Sequence, residues 1–285
     1  MKIDGKVIAH DIKEELKKQV FRLRRKNIIP HLAVILVGND PSSLIYIKQK
    51  KKLGEEIGVK ISIYNLECTI NKKKLANLVN KLNKDKTTNG IIIQRPVPFP
   101  IEKEELDRLV TPRKDVDGFH PDSPFTPPVA AAVIRILTWV YSNYHATVCG
   151  NYSTQNFNIW LKKQKILVIG RGETAGRPIA EFLRKNQIKF IVAHSQTTNI
   201  KQLCLSSGII ISAVGKPNIV RPDMVTAKTI LIGVGLHPEE DKLQTDYNQE
   251  EIAGKVAFYT PVPGGVGPVN VACLFENLIK ASSRY

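Results

Sequence analysis

Cysteine is scarce in this 285-residue chain: Cys68, Cys149, Cys204 and Cys273 lie far apart, with no close pair that would suggest zinc or a redox motif. That spacing excludes a disulfide-dense secreted scaffold and fits reduced thiols in a cytoplasmic protein. Long apolar runs are missing too. The most apolar helical stretch, VAAAVIRILTWVY, is interrupted by Arg135 and is too short to cross a bilayer. No apolar N-terminal run precedes a small-residue cleavage site, so no leader and no membrane association are expected. Internal repeats are absent, and no aromatic residues interleave with basic ones as in RNA-binding signatures.

Acidic residues are in short supply: 26 Asp and Glu against 42 Lys and Arg, a net charge of +16. Such a surplus suits nucleic acid, an anionic membrane face or a polyanionic small ligand. Much of it is lysine on helical stretches such as IKQKKKLGEE and NKLNKDK. These read as solvated helix faces, and nucleic acid is not an expected partner.

Hydrophobic residues make up 42% of the chain and charged residues 24%, the balance of a globular protein long enough for two domains. Short β-branched runs alternate with helical stretches. HLAVILVG, VKISIYNL and NGIIIQRPVP read as strands separated by helices; Asp40 and Pro41 suit the start of the first of these. After KDVDGFHPDSPFTPP the pattern restarts with KILVIG, KFIVAHS, GIIISAVG and TILIGVG. This is the grammar of two α/β domains built on parallel sheets. Residues 1–122, joined by a returning final helix in 260–285, form the first domain, and 123–259 the second. The stretch Ser142–Trp160 has no clear periodicity and reads as an inserted loop.

Between the strand KILVIG and the next helix lies Gly170-Arg171-Gly172-Glu173-Thr174-Ala175-Gly176. Glycines at this point allow a tight turn, and the free amides of a helix N-terminus suit a pyrophosphate, as in a Rossmann-type domain. The spacing is one residue longer than the usual fingerprint. The following strand ends in Ala193-His194-Ser195-Gln196, without the acid that binds the ribose hydroxyls of NAD. Ser195 as donor and Arg171 as cation therefore favour NADP, with NAD the less favoured choice.

Other motifs follow in order. VGNDPSSLIYIKQK puts Tyr46 and Lys50 four residues apart on one helix face. QRPVP leaves Gln94 at the end of a strand, KDVDGFHP contributes Asp115 and Asp117, and YTPVPGGVGPVN closes the series near the C-terminus. Together with GRGETAGRP, these segments make the chain resemble the bifunctional methylenetetrahydrofolate dehydrogenase/methenyltetrahydrofolate cyclohydrolase family, over nearly its whole length.

The resemblance implies NADP-dependent oxidation of methylene-tetrahydrofolate to the methenyl form, then hydrolysis to 10-formyl-tetrahydrofolate, by a homodimer. It implies Lys50 as the central catalytic group, Gln94 as its partner, and Asp117 as a contact to the pterin. Tyr46, Asp115, Gly264 and Gly265 join these on the folate side. On the cofactor side it implies Gly170, Arg171, Gly172, Glu173, Thr174, Gly176, His194, Ser195, Val214, Gly215, Gly235 and Gly267. The late proline-glycine loop would then lie beside both folate and nicotinamide. No metal is implied.

The chain departs from the family pattern at several points. Arg95 replaces the usual leucine after Gln94, and is a candidate contact for the glutamate tail of a folate. Phe125 and Pro128 stand where Cys and a basic residue are usual; Gly233 replaces Asp and Asn270 replaces Thr. These changes leave two alternatives open: a cyclohydrolase with weak or lost dehydrogenase activity, and a non-catalytic homologue that binds anions or RNA.

Overall fold

Every residue of the run HLAVILV is buried, as a central parallel strand covered on both faces requires. In a computed structural model of the chain, which describes residues 1–149, 153–239 and 242–283, it forms β1 (His31–Val37). α2 (Pro41–Ile57), β2 (Lys60–Leu66), α3 (Lys72–Lys84), β3 (Gly90–Ile93) and α4 (Lys103–Leu109) follow, and α1 (Gly5–Arg24) precedes. The strands pair in parallel in the order β2-β1-β3. Because the chain steps from β1 to one neighbour and then across to the other, the carboxyl ends of β1 and β3 flank a topological switch point, where ligands bind in open α/β sheets.

The helix starts obey local chemistry. Asp40 accepts the Ser43 amide at 2.7 Å and Pro41 occupies the first turn of α2, which ends at Gly58 in the left-handed region (φ 82°). Asn71 caps α3 in the same manner through Lys74 N. Leu75, Val79 and Leu82 recur at helical spacing and pack α3 onto Ala33, Ile35, Ile91 and Ile93. Leu75 and Val79 are fully buried, each stabilising the fold by roughly 1.5–3 kcal/mol. Phe275 and Leu278 of α10 (Val266–Ser282) approach α2 and β3 at Gly54 and Gly90, where any side chain would collide.

The second half contains α5 (Pro128–Cys149), α6 (Thr154–Lys163), β4 (Ile166–Ile169), α7 (Gly176–Lys185), β5 (Phe190–Ala193), α8 (Ile200–Leu205) and β6 (Ile209–Ser212). It continues through β7 (Ile230–Gly233), the antiparallel pair β8 (Leu236–Glu239) and β9 (Lys242–Thr245), α9 (Gln249–Ile252) and β10 (Phe258–Tyr259). Its parallel sheet has the order β10-β7-β6-β4-β5. β4, β6 and β7 are buried throughout while the edge strand β5 is half-exposed. A second switch point lies at β4 and β6, above which Gly170 and Ala213 emerge.

The chain divides into two compact units, His10–Pro128 with Val271–Tyr285, and Met1–Ala9 with Val129–Asn270. The divisions therefore fall at Pro128/Val129 and Asn270/Val271 rather than after residues 122 and 259, and the first nine residues join the later unit. Backbone bonds explain the second difference: the N-terminal amine reaches Ala257 O, Ile3 N donates to Tyr259 O at 2.8 Å, and Gly5 N to Gly264 O at 2.8 Å.

Ser142–Trp160 is not an inserted loop. Ser142–Cys149 continues α5 and Thr154–Trp160 lies in α6, while 150–152 fall outside the described residues. The polar sequence hides a narrow apolar stripe. Phe157 and Trp160, three residues apart, pack on Tyr141 with ring centroids 5.8 and 5.3 Å away, and Ser153 caps the helix through Asn156 N.

Candidate active site

Lys50 is the buried lysine of α2. One helical turn after half-buried Tyr46, its Nζ donates to Oε1 of Gln94 at 2.9 Å. Gln94 stands just past β3, at the switch point, where its amide pairs with Ile35 O. Its own side-chain amide donates to Arg95 O at 3.4 Å, which leaves Oε1 for the lysine. Burial pushes the Lys50 ammonium below the ordinary lysine range, and the opposing charge of Asp117 partly restores it. Burial raises the Asp117 carboxyl, which Lys50 and Arg95 pull back down. The Tyr46 phenol is likewise raised by burial. A lysine held this way can exchange a proton closer to neutrality than a solvated one.

Asp115 lies deeper. Its Oδ2 accepts the His120 amide at 2.7 Å, and burial pushes its carboxyl up to about 7. With Asp117, Arg95, Asp107 and Phe119 it lines a narrow cavity beside β3. Arg95 does not extend toward solvent, and so is not placed to meet a folate's glutamate tail. Its side chain is only 6% exposed, ion-paired with Asp107 of α4, and its guanidinium carbon sits 4.2 Å from the Phe119 ring centroid. Phe125, at a departure from the family pattern, is simply buried.

The dinucleotide unit is shaped by its glycines. Gly170 has φ 105°, and a Cβ there would strike Ala213 O; a Cβ on Gly176 would strike Gly170 O. Gly172 faces open space, so the loop is close-packed at both ends and clear in the middle. Arg171 and Thr174 are exposed and Glu173 half-buried, before α7 starts at Gly176. His194 and Ser195 follow β5, with His194 N held by Thr197 Oγ1 at 3.0 Å and Ser195 exposed. This combination fits a dinucleotide diphosphate on the glycine loop and a ribose phosphate near Ser195.

After β6 the chain turns through Val214 and Gly215, the latter with φ 76°. Asp246, fully buried just past β9, holds this turn. Its carboxylate accepts Ser212 Oγ at 2.6 Å, Val214 N at 2.9 Å, Gly215 N at 2.7 Å and Lys216 N at 3.0 Å. Gly235 leaves room for that carboxylate. Sequence reasoning missed Asp246 because LQTDYNQE offers only a turn-forming acid; its partners lie some thirty residues earlier. Gly233 is explained by the same region. A Cβ there would collide with Thr245 Oγ1 and crowd Tyr247, whose hydroxyl donates to Thr260 O at 2.6 Å.

The proline-glycine loop lies in the dinucleotide unit. Gln249 braces it, donating to Val262 O at 2.8 Å and accepting Val262 N at 2.9 Å. Gly264 has φ 100°, Gly265 packs on Pro261, and Gly267 faces open space. Asn270 Oδ1 is buried without a hydrogen-bond partner among the described residues. Also among the described residues, no group of His, Cys, Asp and Glu could hold a metal ion.

Two family models cover most of the chain: the tetrahydrofolate dehydrogenase/cyclohydrolase catalytic domain matches residues 3–117 and the NAD(P)-binding domain of the same family matches 151–285. The bifunctional protein FolD of Agathobacter rectalis is 35% identical over 292 residues, with 99% of each chain covered. This chain belongs to the tetrahydrofolate dehydrogenase/cyclohydrolase family. Among solved structures of the family, the bifunctional FolD methylenetetrahydrofolate dehydrogenase/cyclohydrolase of Campylobacter jejuni superimposes with a TM-score of 0.87 at 34% identity. The match covers 100% of this chain and 99% of that one. The Trypanosoma brucei enzyme, solved with NADP and an inhibitor, gives 0.85 at 28% identity, covering 100% and 97%. Within this family fold the catalytic-domain match contains Tyr46, Lys50, Gln94, Asp115 and Asp117, and the NAD(P)-binding match contains both glycine loops.

Proposed function

We propose that this protein oxidises methylene-tetrahydrofolate with NADP and hydrolyses the methenyl product to 10-formyl-tetrahydrofolate. The observation that carries this reading is the buried Lys50 bonded to Gln94 at the switch point of the catalytic unit. Such a site supplies a positioned group of tuned proton affinity, which folate chemistry at this carbon needs. When bound, NADP supplies the hydride acceptor of the first step.

The chain's own groups divide the remaining work. Tyr46 stacks on the folate rings, and the carboxylate of Asp117 accepts hydrogen bonds from pterin N–H groups. Gln94 holds Nζ of Lys50 in place. In the hydrolysis, neutral Lys50 takes a proton from the water that attacks the methenyl carbon. As the ring carbon–nitrogen bond opens, the hydroxyl proton passes to the departing nitrogen, and one proton is released overall. The loops of Gly170–Gly176 and Val214–Gly215 hold the cofactor, with Ser195 and Arg171 toward its 2′-phosphate; the absence of an acid after β5 supports NADP over NAD.

The same reading makes the protein a cytoplasmic homodimer. Cys68, Cys204 and Cys273 form no disulfide, in keeping with a reducing compartment, and no helix among the described residues is long and apolar enough to cross a membrane. Light scattering on the purified protein measures the assembly.

The enzymatic test follows methenyl-tetrahydrofolate absorbance. Purified protein given methylene-tetrahydrofolate forms the methenyl species with NADP and more slowly with NAD, and given methenyl-tetrahydrofolate alone accelerates its decay. Both activities fall sharply in Lys50→Ala. Decay without formation replaces this reading with a cyclohydrolase alone, and neither activity in folded protein removes it.

A further inference from the structure

Arg95 directly follows Gln94, yet the reaction described above gives it no role. Its buried side chain pairs with Asp107, which also receives Lys103 from one turn earlier in α4. The Asp107 side chain is 3% exposed. Phe119 covers the guanidinium, and Arg95, Asp107, Asp115 and Asp117 share the walls of one cavity. Burying a guanidinium is costly unless carboxylates surround it, so its place among three aspartates is informative. Asp107 takes the ion pair, and the shared cavity brings the Arg95 charge to Asp117 as well.

We propose that Arg95 is a positioning residue of the folate site: clamped between Asp107 and the Phe119 ring, its guanidinium keeps Asp117 charged and aimed for pterin binding. This rests on Asp117 being the pterin contact. The charged groups that act on Asp117 are Lys50 from α2, Arg95 after β3 and Asp115 of its own loop; Asp107 of α4 lines the same cavity, with Lys103 paired to it. Lys50 and Arg95 are the two cations that favour its carboxylate against burial. Lys103 is spent on Asp107, and Asp115 lies close enough to interact with Asp117. Removing Arg95 leaves Lys50 as the main counter-charge. Asp117 then protonates at higher pH, and substrate binding fails earlier on acidification.

The test is the pH dependence of kcat/KM for cofactor-free hydrolysis of methenyl-tetrahydrofolate, with KM and kcat resolved separately. Arg95→Leu, and Arg95→Leu combined with Asp107→Asn so that no carboxylate is left without its partner, move the acid limb upward by about one pH unit, mainly through KM. Arg95→Lys, which keeps the charge, returns the limb toward its original position. A folded Arg95→Leu/Asp107→Asn protein with an unmoved limb overturns the proposal and leaves Arg95 a packing residue. Asp117→Asn separates the two levels. If it raises KM and removes the acid-side rise of KM, leaving only the kcat limb of Lys50, the pterin assignment stands whatever Arg95 does; if it leaves KM unchanged, that assignment falls and the role of Arg95 falls with it.

Discussion

The amide of Gly215 donates to Oδ1 of Asp246 at 2.7 Å, while Oδ2 of the same carboxylate takes the Val214 amide at 2.9 Å. One buried side chain thus sets the shape of the turn that follows β6. An asparagine cannot accept all four donors that converge on Asp246, and its NH2 would face backbone amides. Asp246→Asn is expected to raise the KM for NADP roughly tenfold or more, in line with the ~1–3 kcal/mol lost when a buried donor is left unpaired. The folate KM in cofactor-free hydrolysis changes far less. Equal loss in both assays would instead mean general unfolding, which a thermal melt reads directly.

The Lys50–Gln94 bond makes a different prediction. Lys50→Ala removes the proton-transfer group, so hydrolysis of methenyl-tetrahydrofolate falls by about 10²–10⁴-fold. Gln94→Ala keeps the amine but frees it from its 2.9 Å partner. Its effect is smaller and falls mainly on kcat, because the lysine remains present and is only misplaced. Single-turnover hydrolysis measurements separate the two; a Gln94→Ala enzyme with unchanged kcat would remove the positioning role.

Three glycines of one loop are expected to behave differently. Alanine at Gly170 or Gly176 meets a backbone carbonyl, and Gly170 also has φ 105°. Both variants are destabilised by roughly 1–3 kcal/mol. Gly172 has open space around it, so Gly172→Ala keeps the melting temperature while weakening NADP binding, where the loop must approach the diphosphate closely. Paired melting and NADP titration of the three variants checks this. Equal melting temperatures for all three would contradict the packing described for the loop.

The alternation of strand and helix was legible because it rests on local signals. HLAVILV is apolar throughout, Asp40 and Pro41 mark a helix start, and glycines follow β4. The start of the dinucleotide unit was less legible, since the contacts joining Ile3 to Tyr259 and Gly5 to Gly264 link the two ends of the chain. Ser142–Trp160 misled because polar residues surround the few aromatics that pack. Asp246 and the burial of Arg95 share one physical cause of concealment: their partners are set by tertiary structure, and an acid near a turn or an arginine after a strand looks the same whether solvated or buried. The case for Tyr46, Lys50, Gln94 and Asp117 as site residues rests on their ordered series, because each residue type alone is commonplace.

Asp115 gives the stability of the protein a pH dependence of defined sign. Its carboxyl is raised from 3.8 to about 7, first by burial and then by its neighbour Asp117, against the His120 amide that favours the ionised form. Between these two values the folded chain holds a proton that the unfolded chain has released. Stability from this group is therefore full below about pH 4, declines as pH rises through the folded value near 7, and is lost above it. The span corresponds to about 4 kcal/mol at most. Asp115→Asn keeps an acceptor for the His120 amide and cannot ionise, so the variant gains stability relative to the parent as pH rises from 4 to 8. Urea unfolding at a series of pH values measures that difference directly. A constant difference across the range would mean that Asp115 is ionised in the folded protein throughout, with the His120 amide outweighing burial.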